Sequence, residues 1–278
     1  MASTASETME YQITDEEFER FRSLVYRESG INLSQSKRSL LVSRLSKRLR
    51  ALGIETFQAY YEHVLEDRGG EFTQMLDCVA TNKTDFFREP VHLEFLRDRI
   101  LPALETAKRV RIWSSACSSG EEPYSIAITL CDGIAAPLRW DCKILASDLS
   151  TRVLAQAASG IYEAERVREL PPGTIRRHFL KGRGAHAGTV KVKPHLSDLV
   201  RFRRINLMDD HYPIKSQLDV IFCRNVMIYF DRATQQRLAA KFHRYLRPGG
   251  YLFIGHSESL QWVEHPFRPV APTIYQKT

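Results

Sequence analysis

In the first third of the chain, apolar residues recur at every third or fourth position, the spacing of helices that bury one face. The segment TDEEFERFRSLVYRESG predicts a helix with Thr14 as its N-cap, Glu17 three residues on and Gly30 as its stop. Phe18, Phe21, Leu24 and Val25 give it an apolar face. SKRSLLVSRLSKRLRALG predicts a second helix, with Leu41, Leu45, Leu49 and Leu52 in one stripe and Gly53 at its end. TFQAYYEHVLED and GEFTQMLDCVATN complete a small all-α N-terminal domain over residues 1–82.

From Arg109 the pattern changes to short apolar runs alternating with helical segments. RVRIWSSA, CKILASD, LDVIFCRNV, YLFIGHS and PTIYQKT read as strands. EPYSIAITLCDGI, STRVLAQAASG and the long DRATQQRLAAKFHRYLRPGG, with its terminal Pro-Gly-Gly, read as helices. The alternation predicts an α/β domain over 109–278, built on a doubly wound, mostly parallel sheet. A linker and leading helix occupy 83–108. Glycines at 182, 184 and 188, followed by TVKVKP and LVRFRRI, predict a small antiparallel β-subdomain inserted over 176–204.

One junction carries a chemical signal. In IWSSACSSGEEPYSIAITL a strand runs through small residues into a helix, the place where open α/β sheets bind cofactors. Phosphate-binding loops present backbone amides and often a lysine; this one presents Glu121 and Glu122. Like-charge repulsion disfavours an anionic ligand there. S-adenosylmethionine, with an α-ammonium and a sulfonium, suits the carboxylates. Asp148 ends the next strand, where such folds place the acid that accepts from a ribose. Ser150 is the better cap for the following helix and leaves Asp148 to the ligand.

Charge and composition narrow the class. The net charge is +7, and between Glu28 and Glu55 there is no acid, while Lys37, Arg38, Arg44, Lys47, Arg48 and Arg50 crowd the interval. Such a run is either a solvated helix face or a surface for an acidic partner. No apolar run approaches the ~20 residues that span a bilayer, and the first residues read as a tail rather than a secretory signal. Cys78, Cys117, Cys131, Cys142 and Cys223 are scattered without metal-ligand spacing, which predicts free thiols in a reducing cytosol and no metal site.

The motifs TNKTDFFREP, SACSSGEEPYSIA, ASDLS, INL, FCRNVMIYFD and LRPGGYLFIGHSESL, in that order, resemble the bacterial chemotaxis receptor methyltransferase family, CheR. The resemblance runs along most of the chain. It implies a sheet of the S-adenosylmethionine-dependent methyltransferase type, S-adenosylhomocysteine as product, and a cytoplasmic enzyme that forms methyl esters on chemoreceptor glutamates. It implies a cofactor site of Asn82, Thr84 and Arg88 from the interdomain motif, Glu122 for the methionine ammonium and Asp148 for the ribose. Asn206 and Leu207 would line the adenine side, and Arg224 and Asn225 would complete the pocket. Arg88 would orient the substrate carboxylate, and Tyr229 would lie near the methyl group. The bland alternatives are an interdomain salt bridge for Arg88 and a core aromatic for Tyr229.

The basic helix at 36–52 then gains a partner. Arg38, Arg44, Lys47, Arg48 and Arg50 would lie along the acidic helical domain of the receptor. Some members of the family grip a receptor's C-terminal peptide with the β-insertion, and GRGAHAG resembles their glycine loop. Chain length and the absence of a long uncapped coiled coil point to a monomer. A nucleic-acid methyltransferase would share the sheet, but the Asn/Asp-Pro-Pro-aromatic turn and a Pro-Cys nucleophile are missing, and the basic run lacks interleaved aromatics. A non-catalytic cofactor-binding scaffold is the other alternative.

Overall fold

The computed structural model describes residues 11–68, 70–79, 82–135 and 139–278. The tail expected over MASTASETMEYQITDEE lies outside them up to Glu10, but from Tyr11 the chain is anchored: the Tyr11 hydroxyl donates to Ile54 O (3.0 Å), Ile13 is buried and Thr14 caps the first helix. The chain divides into two compact units, 1–80 and 81–278.

The first unit holds helices α1 (Asp15–Ser29), α2 (Arg38–Leu52), α3 (Phe57–Glu66) and α4 (Glu71–Val79). Thr14 and Glu17 form the reciprocal capping box, and Gly30 and Gly53 close α1 and α2 in the left-handed conformation. Phe18, Phe21, Leu24 and Val25 are buried, and Phe21 packs edge-on against Phe57 and stacks with Tyr60. Each such side chain contributes about 1.5–3 kcal/mol through burial. Leu41, Leu45 and Leu49 join this core, whereas Leu52, the last member of the expected stripe, is exposed.

The second unit begins with α5 (Pro90–Phe95), which passes through a π-type turn at Leu96–Ile100 into α6 (Leu101–Ala103). Then come β1 (Arg109–Ser114), α7 (Glu121–Gly133), β2 (Asp141–Asp148), α8 (Thr151–Ser159) and β3 (Ile161–Glu163). α9 (Pro172–His178), β4 (Phe179–Lys181), β5 (Thr189–Val192), α10 (Pro194–Ser197) and β6 (Val200–Arg204) follow. The chain ends with β7 (Leu218–Cys223), α11 (Arg232–Tyr245), β8 (Leu246–Ile254), β9 (Phe267–Ala271) and β10 (Ile274–Lys277).

Among the described residues seven strands form one sheet in the order β6-β2-β1-β7-β8-β10-β9, parallel from β6 to β8 and antiparallel through β10 and β9. Strand order reverses between β1 and β7, so the crevice at their carboxyl ends is the expected place for a ligand. β3, β5 and β4 form a separate antiparallel sheet. Among the described residues no helix is long and apolar enough to cross a membrane.

Three elements depart from the sequence expectation. LVRFRRI is not part of the inserted subdomain: Val200–Arg204 pairs in parallel with β2, and the small sheet instead recruits Ile161–Glu163, upstream of 176. Alternation marks both segments as strands but does not say which sheet takes them. The long helix stops at Tyr245, and Leu246-Arg-Pro-Gly-Gly already belongs to β8, where Gly249 at φ 74° accommodates the irregular start of the strand. PTIYQKT is preceded by β9, whose exposed residues hide its strand period.

Candidate functional site

The loop after β1 is shaped by tight backbone geometry. Ser118 has φ 48° and Gly120 φ 98°. A Cβ on Gly120 would stand 2.8 Å from both the Ala157 Cβ and the Tyr162 hydroxyl, so only glycine fits. Cys117 N–H donates to Ser147 O (2.8 Å), and Ser118 N–H donates to the Asp148 carboxylate (2.8 Å). Ser150 N–H donates to its other oxygen (3.0 Å), while the Ser150 hydroxyl caps α8 by accepting from Val153 N–H. Asp148 is thus fixed at the carboxyl end of β2.

The two glutamates at the start of α7 have different fates. Glu121 is fully buried, accepts from the Ser119 hydroxyl (2.6 Å) and pairs with Arg166, whose guanidinium also reaches Thr84 O (2.5 Å). Glu122 accepts from the Ser114 hydroxyl (2.7 Å) and from Arg224 Nη1 (3.2 Å). Burial raises the Glu122 carboxyl above the usual range, and the Arg224 charge and the Ser114 hydrogen bond only partly oppose this. An ammonium group would find there a carboxylate still able to accept.

Arg224, immediately after β7, is buried and spends its guanidinium inside the protein. Nε and Nη2 donate to Glu89 Oε2 (3.2 and 3.0 Å), Nη2 donates to Arg88 O (2.5 Å) and Nη1 donates to Glu122. Asn225 Nδ2 and His256 N–H donate to Glu89 Oε1 (3.0 and 3.2 Å). Burial would raise the Glu89 carboxyl, but the Asn225 hydrogen bond and the Arg224 charge hold it below the usual range. Phe87, Glu89 and Asn225 all have φ between 54° and 57°, a local strain that this network secures.

Glu258 plays the matching part on the next loop. It accepts from Gly255 N–H (2.5 Å), Asn225 N–H (2.9 Å) and Ile228 N–H (3.2 Å), tying the β8 loop to the turn that carries Tyr229. Tyr229 is half-buried on that turn.

The remaining expected cofactor residues lie on the same side of the unit. Asn206 accepts from Met208 N–H (3.0 Å) just after β6, and the buried Leu207 follows it. Asn82 O accepts from the Ser118 hydroxyl (3.1 Å), and its buried Nδ2 lacks a partner. That orphan donor, the accepting Glu122 and the fixed Asp148 fit a ligand with an ammonium, a carboxylate and a ribose. Arg88 is half-buried, and its Nη1 donates to Lys83 O (3.0 Å).

Spacing alone did not reveal Glu89, Glu258, Ser114 or Arg166. Glu89 sits next to Arg88 in FFREP, and Glu258 lies inside GHSES, so both were within motifs without an assigned role. Glu89, His92 and His256 also present ligand atoms within 4.8 Å of one another. Burial lowers His92 to about 3, with Arg224 adding to the effect, so its imidazole stays neutral. Both Glu89 oxygens already accept from Arg224, Asn225 or His256, and the nearby guanidinium repels a cation.

The residues expected to meet an acidic partner belong to the first unit. Arg38 pairs with Asp15 and donates to Ile13 O (2.5 Å), and Arg44 donates to Val79 O (2.5 Å). Arg48 Nε donates to the buried Glu71 (2.9 Å), which also accepts from the Tyr60 hydroxyl (2.7 Å). Burial opposes ionisation of Glu71, but the Arg48 and Tyr60 hydrogen bonds outweigh it and lower its pKa. Lys47 and Arg50 are exposed, with Arg50 Nε donating to Ser46 O (3.2 Å).

Comparison with known proteins gives the same division. Residues 16–80 match the family described as "CheR methyltransferase, all-alpha domain", and residues 82–276 match "CheR methyltransferase, SAM binding domain". The chain is 44% identical over 266 residues to chemotaxis protein methyltransferase 2 of Pseudomonas aeruginosa, covering 96% of this chain and 94% of that one. It is 42% identical to the chemotaxis protein methyltransferase of Escherichia coli (95% and 91% covered) and 39% identical to that of Borreliella burgdorferi (95% and 95%).

Proposed function

The chain belongs to the CheR methyltransferase family and is an S-adenosylmethionine-dependent methyltransferase of chemotaxis, and from this premise we propose that it esterifies glutamate side chains on the cytoplasmic helical domain of chemoreceptors. The observation that carries the reading is the site at the carboxyl ends of the strands, where Glu122 and Asp148 offer carboxylates and the nearest buried guanidinium, Arg224, is already bonded. The cofactor supplies an electrophilic methyl group on a positively charged sulfur.

An acceptor glutamate, with a pKa of ~4.3, is ionised at neutral pH, so the chain needs no general base to activate it. Its task is alignment, a proximity effect worth up to ~7–11 kcal/mol in favourable cases. Glu122 holds the methionine ammonium, Asp148 the ribose, and Asn82 and Thr84 close the linker side. Asn206 and Leu207 line the adenine side. Arg224 and Asn225 hold Glu89, and Arg224 also holds Arg88 O, so together they brace the linker segment carrying Arg88. Arg88 orients the acceptor carboxylate through its guanidinium fork, and Tyr229 packs beside the reacting groups.

The exposed Lys47 and Arg50 on α2, with Arg44, meet the acidic receptor surface in a salt-sensitive contact. Arg38 and Arg48 have intramolecular roles first. In the small sheet β5 is central, and β4, with exposed Leu180, is an edge onto which a receptor peptide would add. A Cβ on Gly182 would lie 1.9 Å from His186 O, so the loop after β4 depends on that glycine. The enzyme acts as a monomer in the cytoplasm.

The test is incubation with methyl-labelled cofactor and receptor-containing membranes, followed by base-labile methanol release. Wild type labels the receptor. Arg88→Ala and Tyr229→Phe slow transfer far more than they weaken cofactor binding. Label appearing in RNA or DNA instead, or full turnover by both variants, contradicts the reading.

A further inference from the structure

The opposite ends of the same strands carry a second constellation. A hollow of about 390 Å³ is bounded by the amino-terminal halves of β1, β2 and β6 and by the segment Pro213–Ser216. Arg109, Arg111, Lys143, Arg201 and Lys215 line it. Its volume falls within the roughly 300–1,000 Å³ of small-molecule sites.

Three observations set this hollow apart from an ordinary basic surface. First, Arg111 and Lys143 are register partners on neighbouring strands, and Arg201 is the partner of Leu145, two residues beyond Lys143. Like charges directly across a strand pair oppose folding. Second, the cations are poorly compensated. Asp141 pairs with Arg111, and Asp219 accepts from Arg111 N–H (2.7 Å) and from Arg247 Nε (2.5 Å). Among the described residues no ion pair within 4.0 Å engages Arg109, Lys143, Arg201 or Lys215. The Arg111 hydrogen bond depresses the pKa of Asp141, and the charges of Arg111, Lys143 and Arg109 add to it against a smaller opposing effect of burial.

Third, the connection that bounds the hollow lacks a helix. A crossover between parallel strands is usually helical. Here residues 205–217, between β6 and β7, are only turns and bends. Tyr212 of that segment packs edge-on against Trp113, which places the segment on the face carrying Arg109 and Arg111, at alternate positions from Trp113 along β1. The sheet is therefore open where a crossover helix would have covered those cations. Leu145, Pro213 and Ile214 supply apolar surface within the same hollow.

We propose that this hollow is a second ligand site, distinct from the cofactor crevice at the other end of the strands, and that it takes an organic polyphosphate of the nucleotide class. The phosphates lie among Lys143, Arg201, Arg109 and Lys215, and the organic moiety rests on Leu145, Pro213 and Ile214.

Calorimetry on the full chain with GTP, inorganic tripolyphosphate and guanosine tests this, with and without saturating S-adenosylhomocysteine. GTP binds, tripolyphosphate binds more weakly, guanosine does not bind, and the cofactor product displaces nothing. The double variant Lys143→Glu/Arg201→Glu loses at least about tenfold in GTP affinity while keeping its affinity for S-adenosylhomocysteine, which reports that it is folded. If that variant does not fold, Lys215→Glu on the exposed segment is read in the same way. The proposal is overturned if GTP does not bind, if its binding survives the charge reversals, if S-adenosylhomocysteine displaces it, or if tripolyphosphate binds as tightly as GTP.

Discussion

The crevice beside β1 and the basic helix α2 both stand out in the sequence as charged surfaces, yet they use their charges in different ways. In the crevice, Glu89, Glu122 and Glu258 come from three distant segments and interlock with Arg224, Asn225 and backbone amides. On α2 the charges are sorted one by one. Arg48 turns inward to Glu71, Arg38 ties down Asp15, and Lys47 and Arg50 face solvent. A cluster of charge in sequence therefore marks a binding surface only after the pairs satisfied inside the fold have been removed.

The largest effect that tests this contrast belongs to Arg48. Arg48→Ala strands the buried Glu71 carboxylate and is expected to destabilise the N-terminal unit by about 3 kcal/mol. Chemical denaturation measures this, and an unchanged midpoint would return Arg48 to the residues that meet an acidic partner. Asp148→Ala is expected to lower cofactor affinity by about 2 kcal/mol, roughly thirtyfold, through loss of a charged acceptor. Calorimetry checks it, and unaltered affinity removes Asp148 from the ribose role.

Glu89→Gln keeps the shape of the network but removes the charge that balances Arg224. An effect of about tenfold on kcat with a smaller change in receptor KM is expected, whereas a purely structural role would appear as a lowered Tm with kcat intact. Lys47→Glu with Arg50→Glu should leave stability within about 0.5 kcal/mol and raise receptor KM a few-fold, less so at high salt. A receptor KM that ignores both reversals would place the docking surface elsewhere.

Much of this fold was legible because local chemistry and the tertiary outcome agree. The Thr14 capping box, the apolar stripe of α1 and the small-residue turn before α7 are written in adjacent residues. Val200–Arg204 was misplaced because alternation announces a strand and not its neighbour. The placement of Asp148 at the end of β2 and of Arg224 just after β7 was legible from the strand pattern. The site was hidden where function depends on convergence: Glu89 meets Arg224 across 135 positions, and no spacing rule reaches that far. Glu121 and Glu122 show the same limit at the shortest range. Adjacent and chemically identical, they point one to Arg166 and the other to the crevice.

The claim on which the rest depends is that an ionised Glu122 holds the cofactor's cationic amino group. Burial raises its pKa, so protonation, which abolishes the attraction, begins at a higher pH than for an ordinary glutamate. The decisive measurement is S-adenosylhomocysteine affinity by calorimetry across an acid titration, in wild type and in Glu122→Gln. Wild-type affinity should fall as pH drops towards the carboxylate range, while the variant binds at least about tenfold more weakly at neutral pH and with a flatter pH profile. A variant that binds like wild type, with the same pH dependence, would contradict the account.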